Sequence, residues 1–250
     1  MIVIPMAGLS RRFTEAGYTV PKYMLEAHGR TLFAHAVASF DAYFDTLPFL
    51  FIARDVSGTE AFIRAECKKL GVKEAHVVML DAPTAGQAET VALGLRRGGV
   101  GNSEPATIFN IDTFRPGFTF PEQAMRPEVD GYLEVFRGSG ANWSYVRPVA
   151  DGSDRVAETT EKVPISDLCC TGLYHFRTAG LFLDAYDRFA AGDAAKMGLK
   201  EQYIAPMYNV LIRDGRDVRY HVIGAEDVIF CGVPSEYEEF CHNPPGMDQK

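Results

Sequence analysis

The segment MIVIPMAGLSRRF, residues 1–13, opens the chain and decides the fold that we predict for it. Its first five residues are apolar on every side, which is typical of a strand buried in a parallel sheet. A loop of small residues follows at once, and Ala7, Gly8 and Ser10 leave room for backbone N–H groups to approach an anion. Arg11 and Arg12 bring positive charge to the same strand end. The segment therefore predicts a strand followed by a loop that suits a triphosphate.

Lys22, which directly follows Pro21, adds a further cation near this loop. The loop matches neither the P-loop G-x-x-x-x-G-K-[ST] nor the dinucleotide fingerprint G-x-G-x-x-G. Glycine loops after a first strand are common in α/β proteins, and basic loop residues are often simply solvated. On these residues alone, a solvated loop and a phosphate-binding loop both stay open.

Strands and helices alternate over the first 112 residues. The apolar runs 49–53, 76–80 and 107–111 predict strands, and the periodicity of 31–44 predicts a helix. A second helix is predicted to open on a capping box at 57–60 and to stop at Gly71, and a third begins at Gln87. This doubly wound pattern binds ligands outside the carboxyl ends of its strands. Asp112 and the loops at 7–13 and 84–87 fall on that edge.

From residue 113 onward the pattern changes to short strands separated by Gly, Pro and Asp. Further strands are predicted at 131–136, 143–147, 155–160, 169–176, 218–223 and 228–230, with helices at 179–191 and 235–240. We expect a Rossmann-like, doubly wound mixed α/β sheet with a smaller strand-rich extension. It forms one domain over 1–243, with halves 1–112 and 113–243, and the polar tail 244–250 is frayed.

Composition excludes several classes of partner. The 250 residues carry a formal net charge of −8, which argues against nucleic acid or an anionic membrane. The five cysteines are odd in number and lack C-x-x-C spacing, so neither a disulfide framework nor a zinc site is indicated. No apolar stretch approaches 18 residues and no signal peptide is evident, so we expect a cytoplasmic protein without membrane insertion. A homo-oligomer is left open.

Polar residues at three places could carry chemistry: Asp112, Gln87 and the adjacent pair Glu161-Lys162. A carboxylate at the end of an apolar strand, as at Asp112, must be solvated, paired or bound to a cation, and Mg²⁺ is the natural cation beside a triphosphate. Gln87 can donate to and accept from a nucleobase edge. The alternatives are a turn-capping aspartate, an exposed helical glutamine and, for Glu161-Lys162, an exposed ion pair.

Residues 5–13, followed by Pro21-Lys22-Tyr23-Met24-Leu25, resemble the signature of the nucleotidyltransferases that activate sugar 1-phosphates, written G-x-G-[ST]-R-[FL] and then P-K-x-L. Leu9 stands where the second glycine often occurs. The resemblance extends to glucose-1-phosphate thymidylyltransferases and capsule-biosynthesis nucleotidyltransferases, and it implies a GT-A-like fold. The roles that it implies are catalysis by Arg12, Lys22 and Asp112, Mg²⁺ binding by Asp112, and nucleotide binding by Ala7, Gly8, Ser10, Arg11 and Gln87.

The segment 161–176 resembles the same family's E-K-P…S…T-G-Y-F segment, with Val163 inserted before the proline. This implies that Glu161, Lys162, Gly172 and Tyr174 hold the acceptor. Residues 228–237 resemble the closing D-x-G-T-P segment, but Phe230 replaces the aspartate that supplies a second carboxylate to the metal. Either one carboxylate suffices, or Glu226 or Asp227 reaches in, or the chain is an inactive homologue.

The resemblance thus implies transfer of a nucleotidyl group from a nucleoside triphosphate to a small phosphorylated acceptor, a sugar 1-phosphate for surface polysaccharide, with release of pyrophosphate. Three alternatives remain. One is a cytidylyltransferase for a non-sugar phosphate bound near Trp143, Tyr145 and Tyr203. Another is a glycosyltransferase, although residues 112–114 offer one acid where that class uses a D-x-D pair. The third is a catalytically silent nucleotide-binding protein. Neither the base nor the acceptor follows from the sequence.

Overall fold

The apolar run that opens the chain is a strand in the middle of a nine-stranded sheet. The computed structural model describes residues 1–196 and 198–243. The tail predicted to be frayed, 244–250, lies outside the described residues.

The strands and helices follow one another through the whole described chain. The strands are β1 (Ile2–Pro5), β2 (Glu26–Ala27), β3 (Arg30–Thr31), β4 (Phe49–Arg54), β5 (Ala75–Leu80), β6 (Ala106–Phe109), β7 (Thr113–Phe114), β8 (Gly131–Arg137), β9 (Ser144–Pro148), β10 (Val156–Glu161), β11 (Leu168–Phe176), β12 (Val218–Ile223) and β13 (Ile229–Phe230). The helices are α1 (Arg11–Glu15), α2 (Leu32–Ala38), α3 (Thr59–Leu70), α4 (Gln87–Arg97), α5 (Ala179–Arg188), α6 (Ala194–Lys196), α7 (Tyr208–Arg213) and α8 (Pro234–His242).

The first half of the chain builds a parallel sheet with helices on both faces. β1 pairs with β4 and β6, and β4 pairs with β5, all in parallel. Apolar side chains of α4 pack on one face, and those of α2 and α3 pack on the other, so the sheet separates two core clusters. Burial on both faces explains why the strand sequences are continuously apolar rather than alternating.

The second half continues the same sheet. β11 pairs antiparallel with β6 on one side and with β8 on the other, and the full order is β10-β9-β11-β6-β1-β4-β5 with β12 beyond β8. The register of β11 against β8 breaks between Cys170 and Tyr174. Gly172, inside this break, has a φ of +99° that favours glycine. The Rossmann-like α/β fold predicted from the sequence is confirmed.

Three local predictions were wrong in detail. The helix expected over 31–44 ends at Ala38. The side-chain hydroxyl of the next residue, Ser39, accepts the Arg115 N–H. The capping box expected at 57–60 does not form, because Gly58 precedes α3 in a left-handed conformation without a side-chain cap. The helix expected over 179–191 is α-helical only to Arg188. Within the described ranges, no helix has the length and apolar character needed to span a membrane.

Candidate active site

The loop after β1 is open to solvent at the carboxyl edge of the sheet. Arg54, which ends β4, donates from Nε to the Ala7 carbonyl at 3.0 Å and fixes the start of the loop. Ser10 is left-handed, with φ 50°, and its carbonyl accepts from the Phe13 N–H at 2.9 Å. A methyl group placed on Gly8 would meet no atom within 4 Å. The loop therefore leaves space for a ligand beside its backbone.

Arg11 and Arg12 form the start of the short helix α1, and both side chains are exposed. The local sequence places them here because the left-handed Ser10 turns the chain into the helix directly after the loop. Two cations thus stand next to the open loop in a chain whose net charge is −8.

Lys22 and Asp112, 90 residues apart in sequence, form an ion pair between Nζ and Oδ2. Lys22 begins a single 3-10 turn after Pro21, and Asp112 follows β6 by three residues. The two side chains are 19% and 22% exposed, so the pair is half-buried but reachable. The structure brings together two of the three residues, Arg12, Lys22 and Asp112, to which the resemblance assigned catalysis.

Glu236 is a second carboxylate near Asp112, and our sequence analysis missed it. Its Oε2 accepts from the N–H groups of Gly232 at 2.7 Å and Val233 at 3.2 Å, at the start of α8. A methyl group on Gly232 would lie 3.3 Å from Asp112 Oδ2 and 3.6 Å from Glu236 Oε2. The two carboxylates therefore flank one α-carbon. The available signal was the sequence Val-Pro-Ser-Glu, in which glutamate at the third helical position caps the helix.

Phe230 directly precedes Cys231, whose N–H donates to the Asp112 carbonyl at 2.8 Å. Its ring packs against Trp143, with ring centres 4.7 Å apart, and against Phe136 at 5.4 Å. The acid upstream, Asp227, accepts the Gly224 N–H with its Oδ2 at 3.1 Å.

The carboxylate of Glu226 also lies against the α-carbon of Gly224. Both upstream carboxylates thus contact their own turn before β13.

Gln87 contacts Asn110, at the end of β6, by donating from Nε2 to Oδ1. The Asn110 N–H in turn donates to the carbonyl of Gly172 at 3.2 Å. The positive φ of Gly172 brings its α-carbon against the Asn110 side chain, where a Cβ would overlap Nδ2. Sequence analysis predicted Gln87 and Gly172 separately, but it missed the asparagine that joins them.

The turn before Gln87 is held against a segment from the second half of the chain. Gln202 donates its N–H to the Ala85 carbonyl and accepts the Ala88 N–H, each at 2.9 Å. Gly86 lies so close to the Gln202 backbone that a side chain at position 86 would overlap it. This contact places Tyr203 beside the turn that opens α4.

Glu161 and Lys162 lie at the end of the edge strand β10. Glu161 is 7% exposed and accepts the Ser144 hydroxyl. The Lys162 ammonium donates to the Tyr203 hydroxyl and lies 4.4 Å from that ring centre and 3.6 Å from Glu161 Oε1.

Burial raises the pKa of Glu161, although Ser144 and Lys162 oppose the shift. Burial would lower the pKa of Lys162, but its hydrogen bond to Tyr203 and the nearby acids raise it overall. Lys162 therefore remains a cation at neutral pH.

Two tyrosines from the predicted acceptor region are core residues. Tyr174 is 5% exposed, and burial raises its pKa well above the ordinary value, so its phenol is neutral. Tyr145 is fully buried and donates its hydroxyl to the Gly140 carbonyl. Of the aromatic residues proposed for an acceptor pocket, Trp143 and Tyr203 are half-buried.

Asp112 and Glu236 suit a cation that arrives with a polyphosphate. Within residues 1–196 and 198–243, no three His, Cys, Asp or Glu side chains converge as a metal cage. Mg²⁺ typically binds through one or two carboxylates plus substrate phosphates and waters. The donors present fit that arrangement and do not require a carboxylate at position 230.

Comparisons with protein-family models and with curated proteins give no match. Among solved structures, the chain is similar to the nucleoside-diphosphate-sugar pyrophosphorylase from Vibrio cholerae RC9, with 53% identity and a TM-score of 0.93 over 97% of this chain and 100% of that one. A putative glucose-1-phosphate thymidylyltransferase from Bacillus anthracis shares the fold at 15% identity and a TM-score of 0.74, over 96% and 93% of the two chains. The inositol-1-phosphate CTP transferase from T. maritima shares it at 17% identity and a TM-score of 0.69, over 94% and 90%.

An identity of 53% over nearly the whole of both chains is far above what a shared fold alone produces. The family suggested by the residues of the opening loop is confirmed by this similarity. The chain is an enzyme and belongs to the sugar-phosphate nucleotidyltransferases.

Proposed function

We propose that this enzyme couples a nucleoside triphosphate to a sugar 1-phosphate, releases pyrophosphate and requires Mg²⁺ at Asp112. We further propose that it works in the cytoplasm and supplies an activated sugar for surface or capsule polysaccharide. The sugar-nucleotide chemistry named for the Vibrio cholerae relative supports the acceptor class.

The Lys22–Asp112 pair carries this proposal. It joins a cation and a carboxylate at the edge where the neighbouring parallel strands β1 and β6 end, the edge at which the open loop and the exposed Arg11 and Arg12 follow β1. A triphosphate with its cation could replace this pair, because the Lys22 ammonium would donate to phosphate oxygens and the Asp112 carboxylate would hold the cation. Ligands of doubly wound sheets bind at this edge, outside the carboxyl ends of the strands.

The reaction needs charge neutralisation and alignment rather than a general base, because the attacking phosphate monoester is already an anion. Asp112 would hold Mg²⁺, which would supply charge neutralisation at the nucleotide phosphates. Arg12 would stabilise the departing pyrophosphate, and Lys22 and Lys162 would hold the reacting phosphates in line. Gln87 uses Nε2 on Asn110 and keeps its Oε1 for a donor on the nucleobase.

A non-sugar phosphate is the second candidate acceptor, and the aromatic cluster favours it. Phe230, Trp143 and Phe136 give the region between β13 and β9 an apolar surface where the family resemblance implied a carboxylate. An acceptor with an apolar body would gain from this surface.

Pyrophosphate release with the common nucleoside triphosphates, each paired with glucose 1-phosphate, inositol 1-phosphate or a non-sugar phosphate monoester, tests the proposal. With the active pair, Lys22→Ala is expected to lower kcat about 100- to 1000-fold, as loss of one preorganised charge-stabilising donor does. Lys162→Ala is expected to raise the KM for the acceptor and to leave the KM for the nucleotide unchanged.

Lys73→Ala is the matched control, since Lys73 is an exposed lysine whose ammonium lies 3.7 Å from an exposed carboxylate, that of Asp45. It is expected to behave as wild type. Lack of pyrophosphate release with every pair would contradict the proposed reaction. Normal turnover in Lys22→Ala would contradict the assignment of the site.

A further inference from the structure

A buried ion pair that takes no part in the proposed reaction lies behind the candidate active site. Glu134, in the middle of β8, is 1% exposed, and its Oε1 accepts from Arg115 Nε at 2.9 Å. The arginine side chain is 12% exposed. Replacement of a buried ion pair by apolar side chains of similar volume often leaves a protein equally stable or more stable. Stability alone therefore does not account for this pair.

Arg115 fixes the short ribbon that carries Asp112. It directly follows β7, which pairs antiparallel with β13, so that Thr113 faces Phe230. Arg115 Nη1 donates to the Asp227 carbonyl at 2.8 Å, on the chain entering β13. The guanidinium thus ties the two strands of the ribbon together after β7, whereas Asp112 precedes β7.

Glu134 fixes the irregular part of β11 in the same way. Its Oε1 also accepts the Thr171 hydroxyl at 3.1 Å. The Thr171 carbonyl accepts the hydroxyl of Thr113 at 3.3 Å, and Thr113 is the neighbour of Asp112. Thr171 also precedes Gly172, whose carbonyl receives the Asn110 N–H. One carboxylate oxygen therefore joins the strand that carries Gly172 to the ribbon that carries Asp112.

We infer that Arg115 and Glu134 are positioning residues, which set the separation between Asp112 and the Gln87–Asn110–Gly172 group. This inference rests on the proposed function, because the separation matters when one nucleotide contacts both. Residues that orient a metal ligand without touching the metal typically affect metal affinity or activity 10- to 100-fold when they are changed.

The test uses the double variant Arg115→Met with Glu134→Leu, which removes both charges and keeps similar volumes. Thr171 then keeps a main-chain acceptor, the Glu134-position carbonyl at 3.4 Å. We expect a melting temperature close to that of wild type, because no charge is left unpaired. We expect the half-saturating Mn²⁺ concentration to rise about 10- to 100-fold and kcat to fall by a similar factor, with an unchanged KM for the acceptor.

The matched control is Asp130→Asn with Arg177→Met. This pair, with Nη2 and Oδ1 2.5 Å apart, lies at one end of the same two strands, since Asp130 precedes β8 and Arg177 follows β11. Asparagine keeps an oxygen for the Asp217 N–H, which donates to Asp130 Oδ2 at 3.0 Å. The control is expected to leave Mn²⁺ dependence and kcat unchanged.

A second readout separates this inference from the proposed function. Binding of Mn²⁺ with inorganic triphosphate, measured by water-proton relaxation enhancement, requires neither the correct base nor an acceptor. We expect about 10- to 100-fold weaker binding in the double variant. Wild-type binding without turnover on any substrate pair would overturn the proposed function only.

A folded double variant with wild-type Mn²⁺ dependence and kcat would overturn the positioning role. If the double variant does not fold, Thr171→Val replaces it, because valine keeps the shape and removes the hydroxyl that joins Glu134 to β11. Equal Mn²⁺ affinity and kcat in folded Thr171→Val and wild type would also overturn the inference.

Discussion

At the scale of single residues, His175 is an ionisable group held neutral inside the sheet. It is 4% exposed in β11, and its Nδ1 shares a hydrogen bond of 2.9 Å with the Thr107 hydroxyl. Burial, with a smaller contribution from the positive N-terminus, lowers its pKa from 6.5 to about 4. Between about pH 4 and pH 6.5 the imidazole is therefore uncharged in the folded chain but protonated in the unfolded chain.

This shift predicts how stability depends on pH. Between the folded pKa of about 4 and the unfolded value of 6.5, the unfolded state binds one more proton, so the free energy of unfolding falls as the pH falls. His175 alone should remove about 2 kcal/mol between pH 7 and pH 5. Urea unfolding of wild type and His175→Asn at both pH values measures the difference. The variant is expected to lose about 2 kcal/mol less than wild type does.

His76→Asn is the control, because the His76 side chain is 54% exposed. The control leaves His175 in place, so the contribution of His175 to the pH dependence should be present in it as in wild type. The same loss of stability in His175→Asn as in wild type would show that this histidine is not held neutral.

At the scale of elements, the irregular strand β11 shapes the centre of the site. It pairs with β6 through residues 173–176 and with β9 at Cys169. Gly172 stands between these two pairings with its φ of +99°. At this point the neighbour of β11 changes from β6 to β9. Asn110, which follows β6, stays accessible to a ligand.

Gly172→Ala tests this role. Alanine at this φ is strained by about 1–2 kcal/mol, and its Cβ would overlap Asn110 Nδ2 and displace the partner of Gln87. We expect a KM for the nucleotide about tenfold higher, which corresponds to the loss of roughly one hydrogen bond. Steady-state kinetics at saturating acceptor measure it.

Gly152→Ala is the matched control. Gly152 has a φ of +75°, but a methyl group there would meet no atom within 4 Å. The control should be destabilised by a similar amount and keep the wild-type KM. An unchanged nucleotide KM in Gly172→Ala would contradict the role given to this glycine.

At the scale of the whole molecule, one sheet runs through both halves of the chain. The β6–β11 pairing crosses the boundary at residue 112, and one core cluster contains Val3 and Leu50 together with Tyr208 and Leu211. We propose on this basis that residues 1–243 form one domain, with a nucleotide-binding half, 1–112, and an acceptor-binding half, 113–243. Neither half could bury its share of this cluster alone.

Unfolding in urea is therefore expected to be one cooperative transition. Trp143 is the single tryptophan and reports on the acceptor-binding half, whereas far-UV circular dichroism reports on the whole chain. We expect the two curves to coincide, because separate unfolding would expose the shared core. Refolding from each urea concentration serves as the control for reversibility. A tryptophan transition at a different urea concentration would contradict the single domain.

The sequence alone determined much of the fold. Continuous apolar runs identified the nine strands of the main sheet. Helical periodicity and glycine positions identified the longer helices. Both signals are local, because burial and turn geometry act on neighbouring residues. The opening loop also identified the family. Short pieces such as α1, β2, β3 and α7 were missed, because their few residues carry too little periodicity for a pattern to be read.

Only the tertiary structure decided which distant side chains meet. Strand order and register place Lys22 on Asp112, Glu236 near Asp112, and Glu134 under the ribbon. No local pattern encodes these contacts, since the partners are separated by many residues and by several strands. The position of the Phe230 ring, against Trp143 rather than in a metal site, was decided in the same way. Local sequence sets which elements form, whereas the long-range packing of those elements sets which charges become neighbours.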